Sequence, residues 1–294
     1  MSARNPGARR SGLTGLAQRG PVQVIAVTGG KGGVGKTTIS INLASALAAR
    51  GRRTVLLDGD LGLANVDVLL GLTPQFTMAH VIAGERTLEE IMVEAASGFR
   101  IMPGSSGVAR LANLSEAETL GLVRAFSGLA QDIDTLIVDT PAGIAPTVLQ
   151  FAQAAQHVLM VVCDEPTSLT DAYGLIKVLS RSHGVGCFKV LANMVRADGS
   201  GKTLFETLQR VTSRFLDVTL EYCGEVPDDP YLKRSIREQR PVVDAFPSSR
   251  ASRALKLVAD RADTWPVPAG ARGNIEFFAE RLVQRLPVRL EVVR

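Results

Sequence analysis

The chain is predicted to fold as an α/β protein with a doubly wound, mostly parallel sheet and helices on both faces. Three observations carry that prediction. Short, nearly continuous apolar runs alternate with amphipathic stretches for most of the length, as expected of strands buried on both faces between crossover helices. The first run leads into a glycine-rich loop and then a helix. Two later runs each end on an aspartate, at the carboxyl edge where open α/β sheets bind ligands. With 294 residues, 46% of them hydrophobic, the chain can build one large core.

Taken in order, residues 22–27 form the first strand. Gly30 to Thr37 then satisfy G-x-x-x-x-G-K-[ST], and residues 39–49 read as the following helix. In that setting the backbone N–H groups of Gly30, Lys31, Gly32, Gly33, Val34, Gly35, Lys36, Thr37 and Thr38 are expected to cradle a phosphate chain at a helix N-terminus. Lys36 would reach the β- and γ-phosphates, and the Thr37 hydroxyl would ligate Mg²⁺. Residues 54–57 are the second strand, ending in Asp58-Gly59-Asp60. The two carboxylates share a side of an extended chain and can organise the metal shell and the attacking water, although the same three residues also suit a plain turn.

Strands follow at 99–102, 135–138, 158–162, 188–191 and 219–223, with helices at 116–129, 168–180, 202–215 and 251–263. The 135–138 strand ends on Asp139, the Walker B form of carboxylate that holds Mg²⁺ through water. Beyond residues 188–191 stands Asn193, whose amide offers a donor and an acceptor to a base edge. The domain division expected is a basic arm at 1–20, a nucleotide-binding body at 21–264, and a linker with an amphipathic helix at 265–294.

Composition narrows the function. No apolar run approaches the ~18–20 residues of a membrane span, and the arginine-bearing N-terminus lacks the apolar stretch of a secretory signal. Cys163, Cys187 and Cys223 are widely separated, which predicts reduced, packed thiols and no structural metal site in a cytosolic setting. His80, His157 and His183 are isolated and read as packing residues. The net charge of +4 is concentrated in Arg4, Arg9, Arg10 and Arg19.

The motifs resemble one known group. K-G-G-V-G-K-T-T, with its early Lys31, resembles the deviant P-loop of the MinD/ParA superfamily of ATPases. That resemblance implies ATP/ADP and Mg²⁺ as cofactors, slow Mg-dependent ATP hydrolysis, and an ATP-bound homodimer in which Lys31 crosses to the partner's nucleotide. Residues 58–67, D-G-D-L-G-L-A-N-V-D, resemble the switch I of MinD-type ATPases, which implies that Asp60 orients or deprotonates the attacking water and that Asp58 supports the metal shell. D-T-P-A-G-I resembles switch II, implying that the Gly143 N–H senses the γ-phosphate. Asn193, with Pro227 and Asp228, resembles the adenine-binding residues.

Residues 163–173, C-D-E-P-T-S-L-T-D-A-Y, and the string beginning Glu276-Phe277-Phe278 are similar to the flagellar-number-regulator branch, FlhG/FleN. That similarity implies control of flagellar number by antagonism of the flagellar master transcription activator, a FleQ-type enhancer-binding protein, and a second partner in the flagellar GTPase FlhF. It also implies a cytoplasmic protein, peripheral at the inner membrane or cell pole. Leu13 to Arg19 keep little of the motif with which some members stimulate FlhF.

Ile275, Phe278, Ala279, Leu282, Val283 and Leu286 form one helical stripe, which suits membrane contact through residues 275–286. The mixed charges on its polar face, Glu276 and Glu280 against Arg281 and Arg285, suit docking on protein equally well. The rivals are a ParA-type partitioning or positioning ATPase that binds DNA or membrane, and an iron–sulfur relative. Nearby acids dilute the basic cluster Lys233, Arg234, Arg237 and Arg240, which argues against direct specific DNA binding. The iron–sulfur reading lacks cysteines just after the switches.

Overall fold

The computed structural model describes residues 22–61, 63–105, 116–126, 129, 132–267 and 277. The basic arm, Gly62 of the switch I string and the stripe residues between 275 and 286 lie outside them. The strands are β1 (Gln23–Thr28), β2 (Thr54–Asp58), β3 (Val93–Glu94), β4 (Arg100–Met102), β5 (Thr135–Asp139), β6 (His157–Cys163), β7 (Cys187–Val195) and β8 (Thr219–Pro227). The helices are α1 (Lys36–Ala48), α2 (Val66–Leu69), α3 (Met78–Ile82), α4 (Leu88–Ile91), α5 (Glu116–Ala125), α6 (Pro146–Ala154), α7 (Pro166–His183), α8 (Ser200–Phe215), α9 (Pro230–Arg237), α10 (Val242–Ala245) and α11 (Arg250–Asp263).

The strands form one eight-stranded sheet in the order β3-β4-β2-β5-β1-β6-β7-β8. Every pairing is parallel except the two-residue β3, which runs antiparallel to β4 at one edge. β5 and β6 are consecutive in the chain yet flank β1 on opposite sides, so the loop after β1 emerges where the connections change direction.

Alternation along each strand splits the core in two. Ile25 and Val27 face a layer built from α1, α10 and α11, while Val24 and Ala26 face the opposite layer, where Phe126 and Phe151 are fully buried. The latter side continues under α7 and α8 through Leu175, Ile176, Phe205 and Leu208. Helix α1 is buried over almost its whole circumference, which explains why its sequence shows no polar stripe.

The fold class agrees with the sequence reading. Short helices such as α2, α4 and α10, and the strand β3, were absent from it, because elements of two to four residues are too brief to show a hydrophobic period. β7 and β8 run past their apolar segments, ending on Asn193-Met194-Val195 and Gly224–Pro227. Two contacts bear on the expected C-terminal boundary. Trp265 packs against the His157 ring at 5.2 Å. Phe277 returns to the body fully buried, its ring 5.3 Å from Phe126 and its N–H donating to Ala154 O at 3.2 Å.

Candidate functional site

The glycines of the loop between β1 and α1 have separate jobs. Gly33 (φ 81°) and Gly35 (φ 91°) hold left-handed backbone that turns the chain into the helix. Gly30 lies so close to α7 that a Cβ there would sit 2.2 Å from the Asp171 carbonyl carbon. Gly32 and Gly33 face open space instead, with nothing within 4 Å of an added Cβ. Helix α1 starts with no side-chain cap and no acid in its first turn, so its leading N–H groups remain available to an anion.

The two lysines are in different environments. Lys36 is 8% exposed; burial lowers its pKa, and the nearby Asp139 and Asp60 carboxylates oppose that shift. Its ammonium donates to Lys31 O at 3.4 Å. Lys31 turns toward the start of α7, where it pairs with the Glu165 carboxylate and donates to Thr167 Oγ1 at 2.9 Å. The Glu165 hydrogen bond raises the Lys31 pKa and holds the Glu165 carboxyl below the usual range. Within one chain, therefore, the lysine expected to serve a partner is held in cis.

Sheet register sets Asp58 directly beside Asp139. Asp139 Oδ1 accepts from Ser40 Oγ at 2.9 Å, and the Thr37 hydroxyl bonds the same carboxylate. Burial nevertheless pushes the Asp139 pKa up to about 6, ahead of the lowering by Thr37, Ser40 and Lys36. Burial, then the charge of Asp139, pushes Asp58 up to about 8. Two crowded, desolvated carboxylates beside the Thr37 hydroxyl suit a divalent cation, which would neutralise them.

Asp58 does more than supply charge. Its Oδ1 accepts from Asp60 N (3.1 Å), and its Oδ2 from Asn65 N (2.9 Å) and Val66 N (3.0 Å), so it folds the 60–66 loop around itself. Asp60 Oδ1 accepts from Leu63 N at 3.1 Å. Gly143, at φ 90°, donates its N–H to Gly29 O at 3.2 Å, tying the expected switch II to the glycine loop. Leu63 (69% exposed) and Ile144 (57% exposed) stand out as uncovered apolar residues on these two segments.

Beside the loop lies a cavity of ≈ 210 Å³ whose walls include Gly35, Thr38, Asn193, Met194, Pro227, Asp228, Leu232 and Ile236. Asn193 is buried; its Nδ2 donates to Val34 O at 2.8 Å and its Oδ1 has no hydrogen-bond partner. An orphaned acceptor at the end of a phosphate cradle is what a base amine would satisfy. Asp228 pairs with Lys233 at 2.6 Å. Its neighbour Asp229 is structural, with Oδ1 capping α9 at Tyr231 N and Oδ2 accepting from Ala251 N, each at 2.8 Å.

The structure thus gathers Lys31, Lys36, Thr37, Asp58, Asp60, Asp139, Gly143 and Asn193 around one loop, with Pro227 and Asp228 among the lining of the adjoining cavity. Sequence reading missed Ser40, though it lies one helical turn after Lys36, and gave no role to Glu165, Thr167 or Met194. Of the basic cluster on α9, Lys233 and Arg234 are paired with Asp228 and Glu238.

A family model named ParA, described as NUBPL iron-transfer P-loop NTPase, matches residues 21–262. The chain is 56% identical over 264 residues to the Antiactivator FleN of Pseudomonas aeruginosa, covering 90% of this chain and 94% of that one. It is 35% identical over 273 residues to the flagellum site-determining protein YlxH of Helicobacter pylori, covering 91% and 92%. Among solved structures, the septum site-determining protein MinD of Pyrococcus horikoshii complexed with Mg-ADP superposes with a TM-score of 0.69 at 26% identity, covering 83% of this chain and 96% of that one.

Proposed function

The chain belongs to the ParA/MinD family of P-loop ATPases, and from that premise we propose that it is an ATP-dependent dimerisation switch that controls flagellar number. It is a regulatory ATP hydrolase that antagonises a flagellar transcription activator. The name of the 56%-identical Antiactivator FleN supports the antagonism, and that of the flagellum site-determining YlxH supports the setting. One observation carries the reading: the ends of β1, β2 and β5 bring Lys36, the Asp58–Asp60 turn and Asp139 together at a single glycine loop.

Roles follow from chemistry. The residues from Gly30 through Thr38 bind the phosphates, with Lys36 balancing their charge. Thr37 and Asp139 are the groups to hold Mg²⁺, with Asp58 beside them shaping the loop. Bound there, Mg²⁺ would supply charge neutralisation to the phosphates. Asp60 orients or deprotonates the attacking water. Gly143 exchanges its Gly29 acceptor for a γ-phosphate oxygen, and Lys31 leaves Glu165 for the partner's phosphates. Asn193 reads adenine at its orphaned Oδ1, between Pro227 and Asp228.

The activator is of the FleQ enhancer-binding type, and FlhF is a further partner. The proposed division is a basic arm at 1–20, the ATPase body at 21–264, and at 265–294 a linker and amphipathic element that contacts the inner membrane, the protein body or a partner. The iron-transfer wording of the family model is not carried over. Cys187 and Cys223 lie on β7 and β8, away from the switches, and burial pushes the Cys223 thiol up to about 12.

The test is molar mass by light scattering with Mg-ADP and then Mg-ATP, followed by capture of the purified flagellar activator. The expected result is a monomer with ADP, a dimer with ATP, and activator retained by the dimer. An unchanged mass with both nucleotides would overturn the switch.

A further inference from the structure

We propose that Met194 is a binding residue for the nucleobase, placed over the cavity by a deliberately strained backbone; this rests on the reading of the cavity as the base site. Successive side chains of a regular strand point to opposite faces. At the end of β7 that rule fails. Ala192 pairs with Glu225 and Val195 with Pro227, so Asn193 and Met194 together oppose the single residue Val226, which is a β-bulge. Met194 itself sits at φ 57°, and with Gln239 it is one of two non-glycine positions of positive φ among the described residues.

The outcome is that two consecutive side chains reach the same glycine. A Cβ built on Gly35 would lie 2.4 Å from Asn193 Nδ2 and 3.6 Å from Met194 Cε. Asn193 goes inward and bonds the loop carbonyl of Val34, while Met194 remains 42% exposed on the cavity wall. A regular strand would deliver either residue, not both. Strain of this kind persists at ligand clamps because the surroundings impose it.

The chemistry of the wall suits a flat aromatic ring. A thioether is polarisable, adaptable and favourable against π systems. Pro227, Leu232 and Ile236 line the same cavity, so the base would meet apolar surface from β8 and α9 as well as from Met194, with charged neighbours such as Arg196, Asp228 and Lys233 among the remaining lining. The polar reading of the base is left to Asn193.

The experiment compares wild type with Met194→Gly and Met194→Leu, measuring nucleotide-free Tm and the affinities for Mg-ATP and for inorganic tripolyphosphate, which has no base. Glycine accepts positive φ freely, so Met194→Gly should raise Tm by about 2 °C. It should weaken ATP binding roughly tenfold, the loss of one apolar wall, and leave tripolyphosphate affinity unchanged. Met194→Leu should retain most of the ATP affinity.

Three results would overturn the proposal: ATP affinity unchanged in Met194→Gly, ATP and tripolyphosphate weakened together, or a Tm that falls. A wild type that binds tripolyphosphate as tightly as ATP would instead refute the base site itself, and one that binds neither would refute the nucleotide reading.

Discussion

Asp60 and Asp58 stand two residues apart and have different duties. Both oxygens of Asp58 accept backbone N–H groups, whereas Asp60 Oδ1 accepts from Leu63 and its Oδ2 from no donor among the described residues. Asp60 is therefore the acid with capacity for a water. Asp60→Ala should reduce phosphate release by about 10²-fold or more while ATP still binds, checked by single-turnover hydrolysis alongside a binding isotherm. Residues of this sort were legible because each sits at a fixed spacing from the end of a strand. The Lys31–Glu165 contact was not, since its partners lie 134 residues apart and nothing in either neighbourhood names the other. Met194 escaped notice for a similar reason: a bulge is a fact about two strands, and one strand's sequence does not announce it.

The neighbouring ends of β2 and β5 give those two strands a pH signature. Asp58 and Asp139 carry pKa values raised to about 8 and about 6, against about 4 for a carboxyl in an unfolded chain. The folded protein thus holds these protons more tightly than the unfolded chain does. The stabilisation is complete below about pH 4 and disappears as pH climbs through 6 and then 8. With chelator and no nucleotide, Tm should fall between pH 6 and 8.5, and Asp58→Asn should flatten the upper part of that decline. Thermal denaturation across the range checks it. Among elements, the long buried strands and α1, α7, α8 and α11 were legible from their apolar runs and periods. The helices that follow the switches were not: α2 has four residues, too few to show a period, and α6 opens on a proline and buries Val148, Phe151 and Ala152 within nine residues.

For the molecule as a whole, the mostly parallel orientation of the strands was legible from alternation, and the placement of the site at their carboxyl ends followed from it; the strand order was not read. Leu63 and Ile144 are exposed on the two switch segments, and in the proposed dimer they and Lys31 would lie on the face that a second copy covers. Lys31→Ala should bind ATP with little change but stay monomeric, as sedimentation with a non-hydrolysable analogue would reveal. How the chain end joins the body was the least legible feature, because one buried phenylalanine does not stand out in a tail rich in apolar residues. Phe277 stacks on Phe151 at 6.3 Å, and the Cδ2 and Cε2 atoms of Phe151 lie 3.4 Å from where a Cβ on Gly59 would be. A chain shortened after Asp263 would strip the cover from two aromatic rings and slacken the support behind the Asp58–Asp60 turn. Such a truncation is consequently no neutral control for membrane or partner binding: whatever it loses in attachment, its clock for spending ATP would be altered as well.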